Sequence, residues 1–289
     1  MQIVINGLQT GLAISLMALA FTVVYLPTRV FHIALGAVYT TAASVGWACV
    51  QRGLPWYLAV VVAVSAGTGA ALLCELLNHA PLERKHASVE VHLLSSLGIY
   101  IAVVQLLALV WGNESRVLRT DVDAAVVWGG AVITRTQLAT AGGTLSLLCL
   151  FYVWLQFSNR GLQLRALSDN PTELALRGYD IGRLRLVAFG FSGLLGSAAG
   201  LLSAYETGFS PHAGLHVLLL AVVASIIGGR TLFWGPVTGG IVLGIAREGV
   251  TWVSSARWQE AITFALLVMV LYARPGGLLG RDLRTEAEA

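Results

Sequence analysis

The chain has 289 residues, 56% of them hydrophobic and only 11% charged, with a formal net charge of +3. Soluble domains carry about 25% charged residues, so this composition leaves too little polar surface for an ordinary soluble enzyme, and nothing in it points to nucleic acid. It fits a chain whose outer surface faces lipid.

A membrane-crossing helix needs about 20 mainly apolar residues. The first such run covers 7–27. It has no basic stretch before it and no small-residue cleavage site after it, so it reads as a first span and not as a removable leader. The stretch Pro27-Thr28-Arg29-Val30-Phe31-His32 then interrupts an otherwise continuous apolar block. Such breaks are tolerated at membrane depth where they line a cavity or are buried in protein. Further spans are expected at 36–51, 56–77, 91–111, 138–157, 186–205, 235–253 and 258–273, with 215–228 either a full span or a re-entrant segment. The expected fold is all-α: a single transmembrane domain over 1–289 with eight to nine transmembrane or re-entrant helices.

Arginine and lysine set the orientation. The densest basic cluster, Arg160, Arg165, Arg177, Arg183 and Arg185, lies in 158–185, which is therefore expected to be cytoplasmic. The loop with Arg84 and Lys85 and the tail with Arg274, Arg281 and Arg284 fall on the same side, while 203–214 carries no Lys or Arg. Loop 112–136, with Arg116, Arg119 and Arg135, dissents mildly, and the stronger cluster decides. The N-terminus is then outside and the C-terminus inside. Gly190, Gly193, Gly196 and Gly200 share one helix face, where small residues let membrane helices approach closely. Cys49, Cys74 and Cys149 each sit in an apolar run and read as packing residues.

Within 158–185, Asn170-Pro171-Thr172-Glu173 reads as a helix start, with Asn170 as N-cap, Pro171 at the first helical position and Glu173 reaching back as in a capping box. Gly178 supplies the stop. A helix of barely two turns is not stable alone in water. An ordinary capped loop helix and a helix docked into a partner both fit these residues.

Other polar residues stand out against the apolar background. His32, at the break, is a candidate for the substrate path, with Tyr39, Thr40 and Thr41 on the turns that follow; a helix-end cap is the plainer reading of His32. Glu75 is expected to pair with Arg84, Lys85 or backbone N–H groups. Arg247 and Glu248 are about 100° apart on a helix and are poor partners for each other, so they read as snorkelling or as pairing with neighbouring subunits. Glu206, Thr207, Ser210 and His212 fall in an outer loop. His212 and His216 have the spacing of a metal pair but no third ligand near them, and no metal is expected.

Five blocks in order resemble the branched-chain amino acid ABC transporter permeases. They are 158–185; Glu75 followed by Pro81-Leu82; Leu94-Ser95-Ser96-Leu97-Gly98; Gly228-Gly229 with Gly239-Gly240; and Arg274-Pro275-Gly276-Gly277-Leu278-Leu279-Gly280-Arg281. The likeness runs over nearly the whole chain and is nearer the LivH-type subunit than its longer partner. It implies a half-transporter in a bacterial inner membrane, paired with a second homologous permease subunit and two cytoplasmic ATPase subunits. A periplasmic substrate-binding protein would supply neutral or branched-chain amino acids, or in variants of the class urea, short amides or small acids. Residues Asn170, Pro171, Glu173, Leu174, Leu176, Arg177 and Gly178 would then form the coupling helix that rests on an ATPase. No G-x-x-x-x-G-K-[ST] phosphate loop occurs, so Mg-ATP would be held by the partner chains, and this chain needs no cofactor or catalytic residue. One departure is clear: where the family often reads Asn-Phe-Ala-His-Gly-Glu, this chain has His32-Ile33-Ala34-Leu35-Gly36-Ala37.

Two other classes compete. A stand-alone secondary transporter would need intramembrane acids or histidines for coupling, and mid-span acids are nearly absent. A membrane enzyme would need a nucleophile–base or metal cluster.

Overall fold

The computed structural model describes residues 1–119, 124–128, 131–229 and 232–280. Helices follow in order as α1 (Gln2–Thr28), α2 (Leu35–Gln51), α3 (Trp56–Cys74), a π-helical turn (Glu75–His79), α4 (Ala80–Arg84) and α5 (Val89–Trp111). After a short hairpin of β1 (Ala125–Trp128) and β2 (Ala131–Thr134) come α6 (Arg135–Phe157), α7 (Asn159–Asp169), α8 (Pro171–Leu176), α9 (Ile181–Glu206) and α10 (Ala213–Gly228). The last two are α11 (Gly235–Val253) and α12 (Gln259–Ala273), joined through a 3-10 turn, Ala256–Trp258.

Six helical stretches among the described residues are long and apolar enough to cross a membrane: Gln2–Thr28, Trp56–Arg84, Val89–Trp111, Arg135–Phe157, Ile181–Glu206 and Ala256–Ala273. α2 and α10 are shorter, with 17 and 16 residues, and α11 carries Arg247 and Glu248 within its 19 residues. The architecture is thus the expected helical bundle, with one correction. Loop 112–136 carries a short hairpin that the sequence reading did not expect, in which Ala125 pairs with Thr134 and Trp128 with Ala131 in an antiparallel ladder. Arg281 and Arg284, used above for orientation, lie outside the described residues.

α1 is apolar on all sides, which suits a helix enclosed by others. It forms the axis of the bundle: Met17, Ala18, Leu19, Ala20, Val23 and Val24 are fully buried. Small residues bring its neighbours in. A Cβ added at Gly11 would lie 2.8 Å from the Ile241 backbone of α11. The glycine face of α9 does the same toward α3 and α2, since a Cβ at Gly193 would lie 2.7 Å from the Ala71 methyl and one at Gly196 would lie 2.8 Å from Leu35. With lipid outside there is no hydrophobic drive between helices, so close backbone approach and polar contacts hold them together. Thr22 on α1 meets Ser225 on α10 at 3.0 Å, and the Tyr152 hydroxyl donates to the Phe233 carbonyl. α3, α5 and α12 line the periphery and expose Leu73, Leu94, Leu109, Val268 and Tyr272, as a lipid-facing shell requires.

Candidate functional site

Two polar assemblies are set into this apolar bundle. The first surrounds the break between α1 and α2. Arg29 takes the left-handed conformation at φ 56° and closes α1 through its N–H to the Tyr25 carbonyl. The backbone groups freed beyond it find protein partners: the Val30 N–H donates to Thr28 Oγ1 at 3.2 Å, and the Ala34 N–H to Ser96 Oγ at 2.9 Å. Ser96 belongs to the Leu94–Gly98 block of α5.

His32 is fully buried, its ring edge-on to Phe189 with centroids 5.0 Å apart. Phe189 lies two turns into α9, roughly 12 Å along it. His32 Nδ1 is 3.3 Å from His79 Nε2, and His79 Nδ1 is 3.1 Å from His92 Nδ1. His92 Nε2 stands 3.8 Å from the Glu83 carboxylate. Arg185 completes the chain, donating to Glu83 at 3.0 Å and to Glu75 at 2.7 Å. Glu75 and His79 open and close the π-turn, a feature that tends to mark functional positions within helices. A neutral imidazole carries one N–H. If His32 donates to His79 and His79 to His92, the remaining N–H of His92 faces Glu83. The reverse order would turn a bare nitrogen lone pair toward that carboxylate and bury an unpaired N–H on His32. The network therefore assigns the first order, with His32 Nε2 left as a buried acceptor without a partner.

The other residues read from sequence as path residues are spread along α2. Tyr39 is buried, and its backbone carbonyl packs against Gly200 of α9. Thr40 turns back onto the Gly36 and Ala37 carbonyls at 3.3 and 3.2 Å. The Thr41 hydroxyl is buried with no partner. A cavity of about 70 Å³ borders the break, lined by Phe21, Thr22, Tyr25, Phe31 and Ser225 among others, so Phe31 and not His32 faces it.

α8 starts where the sequence indicates. Asn170 Oδ1 accepts the Glu173 N–H at 3.1 Å, Pro171 occupies the first helical position, and Gly178 ends the turn at φ +83°. The reciprocal half of a capping box does not form, because the Asn170 N–H already serves the Ala166 carbonyl at the end of α7. Glu173 instead pairs with Arg177 at 2.6 Å. Leu174 is buried against Leu167 and Leu184 and so is not free for a partner, whereas Leu176 is 83% exposed. α7, which the sequence reading passed over, supplies the surface on which α8 rests.

Several pairings correct the sequence reading. Glu75 takes Arg185, not Arg84 or Lys85. Arg247 is buried and serves Glu260 at 3.0 Å, Thr263 at 2.9 Å and Gln259 at 3.0 Å, all near the start of α12 in the same chain. His212 meets Asn113 at 3.2 Å and His216 meets Glu260 at 3.6 Å. The signal for the Glu75 pair was present in kind, since a carboxylate inside an apolar run demands a partner, but it does not say which arginine answers.

The second assembly lies at the other end of α9. Gln9 on α1, Thr140 on α6 and Glu206 at the end of α9 meet: Gln9 Nε2 donates to Glu206 Oε2 at 2.9 Å and to Thr140 Oγ1 at 2.7 Å, and Thr140 Oγ1 lies 2.9 Å from the same carboxylate oxygen. They border a cavity of about 160 Å³ with Thr10, Ser203 and Thr207 at its polar side and Ala13, Leu16, Ala199 and Leu202 at its apolar side. Glu206 is therefore not a free loop residue.

An apolar bundle with a broken helix, charges paired within it and a short capped helix carried on one end defines a multi-pass membrane protein. The family described as branched-chain amino acid transport system / permease component matches residues 3–271, and the chain belongs to that family, one of transport components and not of enzymes. It is 25% identical to the high-affinity branched-chain amino acid transport system permease protein LivH of Escherichia coli (strain K12), over 97% of this chain and 96% of that one. The corresponding BraD protein of Pseudomonas aeruginosa is 24% identical over the same shares, and a probable LivH of Methanocaldococcus jannaschii 24% over 92% and 88%. A chain in the solved structure of PsaBC from Streptococcus pneumoniae in complex with Fab superposes with a TM-score of 0.55 at 11% identity, covering 94% of this chain and 91% of that one, a likeness of fold.

Proposed function

We propose that this chain is one of two permease halves of an ATP-driven importer for branched-chain and other neutral amino acids in a bacterial inner membrane. The observation that carries the reading is α8. A six-residue helix, fixed on its inner face by Leu174 and capped by Asn170, leaves Leu176 exposed beside a salt-bridged Glu173–Arg177 pair. Such a helix is too short to stand alone and suits a groove on an ATPase subunit, with Asn170, Pro171, Glu173, Leu176, Arg177 and Gly178 at or near the contact.

In this reading α8 faces the cytoplasm. The N-terminus is then outside, which agrees with Gln9 of α1 meeting Glu206 at the end of α9 that is remote from α8. Nine crossings follow if α2, α10 and α11 are counted with the six long helices, and eight if α10 is re-entrant. Mg-ATP is held by two separate ATPase chains, a second permease completes the path, and a periplasmic binding protein delivers substrate. The path runs along α2 past Tyr39, Thr40 and Thr41 toward the break at His32. Uptake of labelled leucine, isoleucine and valine, against urea and short amides, by the reconstituted complex tests the proposal. ATP-dependent accumulation of the amino acids supports it, and accumulation of urea or amides alone sinks it.

A further inference from the structure

The second polar assembly contains an unbalanced charge. Glu206 is half-buried, and one of its oxygens is held by Gln9 and Thr140. Among the described residues no lysine, arginine or histidine forms an ion pair with it. Three acids of the bundle have cations, Glu75 and Glu83 in Arg185 and Glu260 in Arg247, whereas Glu248 of α11, like Glu206, is met by a neutral hydroxyl, that of Thr10 at 3.2 Å. Water still reaches a half-buried carboxylate, and a ligand that displaces this water has to bring a cation or donors in its place. Neutral donors on one oxygen stabilise the charge but do not cancel it, and among the described residues the second oxygen accepts no hydrogen bond and stands open to solvent.

The surroundings narrow what would cancel it. Ser203 and Thr207, on the same last turns of α9, bring hydroxyl acceptors to the cavity, while Ala13, Leu16, Ala199 and Leu202 give it an apolar side. A compact group with several N–H donors beside a short hydrocarbon fits both. At about 160 Å³ the space is of the size that takes a benzene-sized ligand. Gly200, one turn before Ser203, packs against the Tyr39 backbone and so sets the cavity wall against α2, along which the path is proposed.

The geometry points to a substrate subsite here: Glu206 receives the α-ammonium group of a neutral amino acid, whose side chain lies against Ala13, Leu16, Ala199 and Leu202. Gln9 and Thr140 are positioning residues that hold the carboxylate toward the cavity. The inference rests on the amino-acid reading above and adds to it the group on the ligand that the permease itself recognises.

The test is binding of tritiated leucine to the purified permease–ATPase complex in nanodiscs, without the binding protein. The competitor is 2-hydroxy-4-methylpentanoate, which replaces only the ammonium group. The wild-type complex prefers leucine. Glu206→Gln removes a charge-assisted contact and weakens leucine binding about ten- to a hundredfold, with the preference over the hydroxy acid lost, while Glu206→Asp retains part of it. A second variant, Ala13→Leu, keeps the polar shell and fills the apolar side, so leucine binding falls while alanine binding persists. Leucine binding that is unchanged in Glu206→Gln overturns the subsite, as does absence of binding to a wild-type complex that transports leucine. Failure of the wild-type complex with its binding protein to transport any neutral amino acid overturns the functional reading itself.

Discussion

Glu75 and Arg185 are 110 positions apart in sequence and joined at 2.7 Å, with both side chains almost wholly removed from solvent. Arg185 stands in the second turn of α9, directly after the α8 loop, and Glu75 opens the π-turn below α3. The pair joins the start of α9 to the α3–α5 corner, and contacts through Glu83, His92 and His79 continue from it to the break.

Removing one partner of a buried ion pair leaves an uncompensated charge, at a cost of about 3–5 kcal/mol. Arg185→Met is expected to lose stability on that scale. Glu75→Leu should lose less, because Glu83 still faces Arg185. The double change Glu75→Leu with Arg185→Met should recover most of the loss, since two apolar side chains of similar volume can replace a buried pair. Thermal unfolding of the purified complex measures all three. Losses that simply add in the double variant would mean that the pair is not coupled.

The two leucines of α8 should separate cleanly. Leu174 packs inward against Leu167 and Leu184, so Leu174→Asp forfeits about 1.5–3 kcal/mol of burial and adds a buried charge. It is expected to lower the yield of folded permease. Leu176→Asp should leave folding intact and weaken ATPase association, read as transport lost out of proportion to expression. Normal ATP-driven uptake in Leu176→Asp would remove α8 as the docking element.

Orientation has a direct measurement. After Cys49, Cys74 and Cys149 are replaced, a single cysteine at Asn170 should resist an impermeant thiol reagent in intact cells and react in inverted vesicles. A cysteine at Ser210, near the opposite end of α9, should behave in the reverse way. Labelling of position 170 from outside would invert the whole topology.

What could be read from sequence was local or imposed by lipid. Spans were legible because hydrocarbon demands about 20 apolar residues, and the Asn170 cap because donor and acceptor lie three residues apart. The break at Arg29 showed itself as polarity inside an apolar block. The hairpin was missed although Gly129-Gly130 between two β-branched runs is a turn signal; the surrounding arginines drew the reading toward an irregular loop. Pairings across helices left no such trace. Nothing local to Glu206 names Gln9, and nothing local to His32 names His79, because each partner is chosen by which helix faces fold together. The sequence left open whether the break lines a cavity or is buried in protein, and Thr28 and Ser96 satisfy its backbone N–H groups at Val30 and Ala34 directly.

The three histidines give the last test, because their tautomer order makes the positions unequal. His79 uses both ring nitrogens, toward His32 and His92. His79→Phe therefore strands a donor on His32 and an acceptor on His92, each costing about 1–3 kcal/mol when buried. His32→Phe strands only an acceptor on His79 and at the same time removes the partnerless Nε2 of His32. It also keeps an aromatic edge against Phe189. The expected ranking is a clear fall in melting temperature for His79→Phe and a smaller one for His32→Phe. Leu35 is fully buried beside Gly196 and is left unchanged, so that any shift belongs to the histidines. If His32 borders the transport path, His32→Phe alters relative uptake of leucine and alanine while His79→Phe changes the amount of active transporter and not its preference. Equal melting losses would refute the assigned tautomer order, and unaltered preference in His32→Phe would take position 32 out of the path.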